Sequence, residues 1–482
     1  MKLSHIFISA LAAMSLASCS EWLDVKPSDR ISESVNFSTL AGFKQALNGI
    51  YVELNSSELY GRSLSCEFIE VMAQRYAVTS ENKSMTEVMN LSLGGTTAQS
   101  RIESIWGKAY NLISNANLII ENCEKNRDVL PDDYYHLIKG EAYALRAYLH
   151  LDLFRLFGYT YDPATSSTAV PYYDRFQLNV APTLSSHEYM ERVIKDLLVA
   201  EEELLGDPIV TYGVAGSSKD LFLSYRNLRL NLYAVQGVLA RAYYYMQDDV
   251  NAAKYARKVI EVQERVFPWI QPIALTRANV DRVFSTEVMF ALQNLSRESL
   301  YTSLFDGNSL KANALLAPRE KVLKQIYEGT KSDGDYRVMA SFKGSAELNG
   351  VQYRVFNKYH GTDSLYNQMI PMVRTSEAYL ILAQVGDDNA ERLQALNAVR
   401  NNRGLQSTVN PSELIHRERL TSLLDMEWIK EFYGEGQLFF WYKRNSCIYM
   451  RSAIDEYNDS PYQVSSLSKY VLPLPDAESK YN

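Results

Sequence analysis

Apolar side chains recur every three or four residues through most of this chain, the spacing that places them on one face of an α-helix. Phe43, Leu47, Ile50 and Leu54 form one such stripe, and Ile105, Tyr110, Ile113, Ala116 and Ile120 form another across Ile102 to Cys123. Residues 55–100 between them are mixed, broken at Gly94-Gly95, and read as loop with short elements. The pattern is clearest over Tyr134 to Phe157, where Ala144, Ala147, Leu151 and Phe154 make one row and Leu145, Leu149, Leu153 and Leu156 a second. A helix apolar on two sides packs between neighbours on both. Gly158 then stands where a C-terminal glycine closes a helix. A loop with Pro163, Pro171 and Pro182 precedes a further helix from about Ser186 to Leu205.

Leu232, Val235, Leu239, Tyr243 and Met246 lie on one helical face, and a Gln-Asp-Asp turn leads into Ala252 through Val262. An aromatic late in the first helix and small alanines early in the second resemble a tetratricopeptide pair, without meeting the strict consensus. Residues 378–404 repeat the style, and Ser412 to Tyr433 supplies a long amphipathic helix. The expected fold is mainly α: degenerate tetratricopeptide-like helix-pair repeats over about 134–265 and 372–445, with at most short strands. Trp106, in a helical WxxxY pattern, and Tyr243-Tyr244-Tyr245 read as packing within that scaffold. Residues 266–370 differ: Pro268, Pro272 and Pro318 interrupt them, and VQYRVFNKYH hints at a short strand. This is a large, irregular, loop-rich insertion, and loops on a rigid scaffold are where binding surfaces usually sit.

The N-terminus sets the compartment. Lys2 precedes an apolar run from Ile6 to Leu16, too short to span a bilayer, which takes about 20 residues, and suited to a secretory signal. It ends in Leu16-Ala17-Ser18-Cys19, a bacterial lipobox in pattern. Residues 1–18 are therefore read as a lipoprotein signal peptide, with Cys19 as the lipidated first residue of a polar tether over 19–40. Several acyl chains anchor where one is marginal. Cys66, Cys123 and Cys447 remain, an odd number with no zinc spacing, and read as small buried hydrophobes with room for at most one disulfide.

Composition narrows the function. Lys and Arg total 49 against 57 Asp and Glu, a net charge of −8 with no basic block, which argues against nucleic-acid binding. Tyrosine is abundant, 34 against 17 Phe and 5 Trp, and its ring with one hydroxyl suits wet binding surfaces.

Several segments, in order, carry a family resemblance: EWLDVKPSDRIS after Cys19, ALNGIY (46–51), IWGKAYNLISNAN (105–117), ALRAYLHLDLFRLFG (144–158) and ARAYYYM (240–246). They continue with Asp335-x-Arg337, MVRTSEAYLILAQ (372–384), LNAVRNNRG (396–404), KEFYGEGQLFFWYKR (430–444) and YVLPLPDAE (470–478). Together they resemble the SusD/RagB family of outer-membrane nutrient-binding lipoproteins. The resemblance implies one SusD-like domain over 41–482 on a cell-surface, lipid-anchored protein of a Gram-negative bacterium. It further implies non-catalytic capture of oligosaccharides and their delivery to a SusC-like TonB-dependent β-barrel. Oligopeptide capture by the same architecture is the alternative, and a helical-repeat scaffold for other proteins is a third reading. Two departures, a short close at Tyr481-Asn482 and Trp441 where many members have an aspartate, keep ligand identity from being carried over.

Catalytic signatures such as GxSxG, HExxH or a phosphate loop are not found in the sequence, so the chain is read as no enzyme with no cofactor. Asp333-Gly-Asp335 starts like a calcium loop but lacks the later ligands and reads as a turn. Glu427, Glu431 and Glu435 recur at four-residue spacing near Lys443 and Arg444, where ion pairing is the simplest role. A sugar surface needs aromatic faces flanked by amide and charged donors. Arg75, Tyr76 and Asn82 in the first irregular region, and Trp269, Tyr301, Phe305 and Asn308 in the second, are the candidates. The two regions resemble the places where the family carries its ligand contacts.

Overall fold

The computed structural model describes residues 37–479 apart from short stretches, the longest of them 328–333, 410–416 and 455–460. The signal peptide, Cys19 and nearly all of the tether lie outside the described residues, as does Asp333.

The apolar stripes become helices. α1 (Leu40–Leu54) begins where the Thr39 hydroxyl accepts the Gly42 N–H, and it buries Phe43, Leu47, Ile50 and Leu54. α2 (Thr96–Lys125) and α3 (Asp132–Phe157) pack together, and nearly all of α3 beyond its first turn is buried, as its two rows require. α4 (Ser186–Glu203) opens on a capping box between Ser185 and Glu188. The side chains of Asn231 and Asp248 cap α5 (Leu232–Tyr245) and α6 (Asp249–Val266) by accepting the Ala234 and Asn251 N–H groups.

Each helix packs on the next from α2 through α6, and the array then continues into α7 (Thr375–Val385) and α8 (Asn389–Asn401). α6 lies against α7, so the stretch 267–374 leaves the helical array and re-enters beside its point of departure. β1 (Val288–Gln293) and β4 (Met369–Arg374) pair antiparallel, with Ala291 opposite Pro371, and clamp the base of that excursion. Within it, β2 (Phe342–Leu348) and β3 (Val351–Phe356) form a hairpin whose turn residues Asn349 and Gly350 both have positive φ. Asn-Gly favours that two-residue turn because neither residue is much penalised there. The fold is mainly α with short strands, and one apolar core runs from Phe37 to Leu472.

Two details differ from the sequence reading. Gly158 is not left-handed; its φ is −75° and ψ 160°. Space selects it, since an added Cβ would lie 2.7 Å from the Phe154 carbonyl oxygen. The end of α3 is capped from afar by buried Lys443 on α10 (Leu438–Arg444), whose Nζ donates to the carbonyls of Arg155 at 2.7 Å and Gly158 at 2.6 Å. Lys443 and Arg444 are therefore not the partners of the glutamate ladder, because Arg444 turns to Asp249 and the Tyr244 carbonyl. The three described cysteines are free thiols.

The ladder's partners come from other elements. On α9 (Arg417–Glu431), Glu431 binds Arg403 and Arg374, each at 2.6 Å, and Arg337 at 3.3 Å. Glu427 binds Arg337 at 2.9 Å and Arg400, and Glu435 binds Arg374 at 2.8 Å and Lys358. The Asp335-x-Arg337 motif belongs to this network: Asp335 pairs with the Arg337 guanidinium at 2.7 Å and accepts its backbone N–H. Asp335 thereby caps the short helix Tyr336–Ser341, while the turn read at Asp333-Gly-Asp335 lies partly outside the described residues. Burial works to raise the Glu427 pKa, but Arg337, Lys430 and Arg400 outweigh it and hold it down to about 2. The network joins the excursion, α8 and α9 through charges with almost no exposure.

Candidate ligand-binding cleft

The structure joins the two irregular regions singled out in the sequence, since the Ala77 N–H donates to the Ala317 carbonyl. It does not display their aromatics. Tyr76 and Phe305 are each 0% exposed and 5.8 Å apart, packed with Phe356 and Tyr433 in an aromatic core. Arg75 is buried over the Tyr433 ring at 3.8 Å and donates to the Ile429 carbonyl. Tyr301 is buried against His360, and its hydroxyl accepts from Asn357 at 3.4 Å. Trp269 is half-buried between Tyr379 and Arg403. Asn82, which caps the helix Lys83–Met89, is half-buried like Trp269, and Asn308 is exposed. For Tyr76, Tyr301 and Phe305 the expectation of an open sugar platform is corrected by their burial. Irregular segments of this size still fold their apolar side chains inward.

A roomier recess lies at the start of the excursion. α1, the segment 221–229, the end of β1 and Leu365 enclose an open cleft of about 630 Å³, inside the range of roughly 300–1,000 Å³ usual for ligand sites. Asn48, Tyr51, Asn55, Tyr225, Arg229 and Gln293 supply its polar and aromatic lining, and no carboxylate is among the lining residues described. Leu221, 75% exposed, and Val52 flank it with apolar surface.

The floor is rigid. Arg229 lies over the Tyr51 ring at 4.7 Å and the Phe222 ring at 4.2 Å, and donates to Glu141 at 2.9 Å and Asn48 at 2.8 Å. Fully buried Glu141 also accepts from Arg226 and from the Tyr51 hydroxyl, each at 2.7 Å. Burial first, and then Glu141, push the Tyr51 pKa well up, so this phenol stays protonated as a donor.

Two polar atoms on this lining have no partner. The Asn55 side-chain N–H groups donate to the Tyr51 and Gln293 carbonyls, while its Oδ1 and Arg229 Nη2 are buried and unpaired. Each such group costs about 1–3 kcal/mol. One is an acceptor and the other a donor, the complement of a hydroxyl. Beside them Tyr225 sits at φ +50° and is 42% exposed. A bulky residue held left-handed costs on the order of 1–3 kcal/mol, and such strain clusters at ligand sites. None of these residues was a site candidate in the sequence: Asn48 and Tyr51 belong to the helical ALNGIY segment, and Tyr225 and Arg229 lie between the helix ending near Leu205 and the one beginning near Leu232. A left-handed tyrosine has no local signature.

Comparison with known proteins follows this geometry. Residues 21–212 match the SusD-like family model described as starch-binding and associating with the outer membrane. A SusD-like protein of Formosa agariphila is 30% identical over 214 residues, covering 42% of this chain and 38% of its own. A second from that organism is 24% identical over 163 residues, covering 33% and 31%. The matched part thus spans well under half of either relative. A SusD-like carbohydrate-binding protein of Bacteroides vulgatus has a structure similar over 92% of this chain and 97% of its own, with TM-score 0.70 at 19% identity. A SusD superfamily protein of Bacteroides thetaiotaomicron covers 92% and 98%, with TM-score 0.68 at 21% identity. At these identities the likeness is one of fold.

Proposed function

For a chain that is SusD-like in sequence and in fold, we propose a lipid-anchored surface protein that binds oligosaccharides without cleaving them. The observation that carries this is the unpaired acceptor and donor, Asn55 Oδ1 and Arg229 Nη2, beside Tyr51 and Tyr225 in one cleft. A pyranose has an apolar face for tyrosine and hydroxyls that both donate and accept, the chemistry that such a pair of atoms would meet once uncovered. Glycoside hydrolysis needs two carboxylates about 5–10 Å apart at the bond, and Glu141 beneath the cleft is already committed to two arginines. The cleft's volume admits more than one sugar ring. Asn82 and Asn308 are proposed as outlying contacts.

Calorimetric titration of residues 20–482 with a panel of oligosaccharides and peptides tests this. Saturable binding of an oligosaccharide recovered at its original length is expected. Shortened product, or binding to peptides alone, overturns it.

The anchor and partner complete the proposal. No helix among the described residues is long and apolar enough to cross a membrane, so Cys19 is proposed to hold the protein at the outer membrane. Capture at the surface also requires a channel, proposed to be a SusC-like TonB-dependent barrel. Protein extracted in mild detergent is expected to co-purify with a barrel, and Cys19→Ala to leave the membrane fraction. Retention of that variant after carbonate washing would count against the lipid anchor.

A further inference from the structure

We propose that the chain carries a second, smaller glycan subsite for a single pyranose ring, in a groove between α2, the segment 171–177 and Glu478. The ligand class rests on the proposed function; the place does not, because this groove and the Tyr225 cleft share no residue. The groove holds about 260 Å³, below the roughly 300–1,000 Å³ of drug-sized pockets, which suits one ring and not a chain of them.

Its walls are aromatic and pinned: half-buried Tyr110 and Tyr173 present the ring surface, and Trp106, 5% exposed, backs Tyr110. Trp106 and Tyr110 meet edge to face at 4.8 Å, and Tyr110 meets Tyr173 at 5.5 Å. The Tyr110 hydroxyl donates to the Pro171 carbonyl at 2.8 Å. Asn117, itself oriented by Arg146, donates to the Tyr173 carbonyl at 3.1 Å. The Trp106 indole N–H donates to Glu478 at 3.3 Å. Around these walls, Arg175 and Gln177 bring donors and Glu478 an acceptor, the mixed set that a ring of hydroxyls requires.

The helix backbone beside these walls supplies the independent observation. Gly107 lies inside the long helix α2, where glycine is the least favourable residue apart from proline. Packing does not explain it: its φ is not left-handed, and an added Cβ would meet no atom within 4 Å. Gly107 is exposed where it lines the groove, so an added Cβ meets open space and the glycine leaves the helix backbone uncovered beside the aromatic walls. Close approach of a ligand is the role glycine serves in such a place.

The test uses detergent-solubilised mature protein labelled with 5-fluorotryptophan, its Trp106 fluorine signal assigned from Trp106→Phe. Glucose, galactose, mannose and N-acetylglucosamine are titrated separately at millimolar concentration. A saturable shift of the Trp106 signal is expected with at least one sugar. Gly107→Leu, whose side chain fills the groove while favouring the helix, should abolish that shift, leave the melting temperature unlowered, and leave oligosaccharide binding at the Tyr225 cleft intact. Absence of a shift with all four sugars, or an unchanged shift in Gly107→Leu, overturns the subsite. A Trp106 shift that persists when the Tyr225 cleft proves unable to bind oligosaccharide supports the subsite and removes only the reading of the cleft.

Discussion

Glu431→Gln is expected to destabilise the protein by about 3–5 kcal/mol, the usual cost of breaking a buried ion pair by removing one partner. Glu431 is 2% exposed and receives Arg403, Arg374 and Arg337, each no more than 3% exposed. Loss of its charge leaves three guanidinium groups that water does not reach with one carboxylate fewer each, Arg403 keeping Glu287, Arg374 keeping Glu435, and Arg337 keeping Asp335 and Glu427. Against a total stability of about 5–15 kcal/mol for a typical domain, that is a large fraction. A suitable control is Lys258→Met, which removes the partly exposed pair with Glu201 at 2.7 Å and should cost no more than about 1 kcal/mol. Urea unfolding of the two variants decides the matter; equal midpoints would mean the network is redundant. The same network predicts an acid limb. Glu427 has its carboxyl held at about 2, below its ordinary 4.5. Its stabilisation is fully present above pH 4.5 and is lost as pH falls toward 2, because the folded state then holds the proton less well than the unfolded chain. Glu427→Gln should flatten the fall in melting temperature across that window.

Tyr225→Gly is expected to weaken oligosaccharide binding by about 1–3 kcal/mol, five- to 150-fold, the range for an aromatic anchor. It is expected to leave the melting temperature nearly unchanged. The ring is 42% exposed, so its removal opens little cavity. At φ +50° the tyrosine pays a backbone cost that glycine does not. That relief offsets the extra freedom glycine brings to the unfolded chain, about 0.4–1 kcal/mol. Affinity and stability thus part company only if the ring serves a ligand. A lower melting temperature with intact affinity would make Tyr225 a packing residue and move the binding surface elsewhere.

Which parts of this protein were legible in its sequence follows from the range of the interactions involved. The helices α1 to α6 were readable because their apolar spacing is local: Phe43, Leu47, Ile50 and Leu54 mark the buried face of α1 wherever its partner comes from. The similarity to SusD-like proteins was readable for a related reason, since ordered segments carry the resemblance along the chain. The four-residue spacing of Glu427, Glu431 and Glu435 announced ion pairing, but Arg337, Arg374, Arg400 and Arg403 reach them from separate elements. Chain closure chose those partners over nearby Lys443, which caps α3 instead. The site was least legible. Tyr76, Tyr301 and Phe305 lie in stretches without helical period and so looked available, yet the excursion 267–374 folds back on residues 68–77 and buries them. The cleft reverses that error. Asn48, Tyr51, Tyr225, Arg229 and Gln293 come from three places in the chain and meet only because β1 and β4 clamp the excursion beside α1. Periodicity states which face of an element is apolar; which polar atoms are left without a partner depends on every element that arrives, and tertiary packing alone decides that.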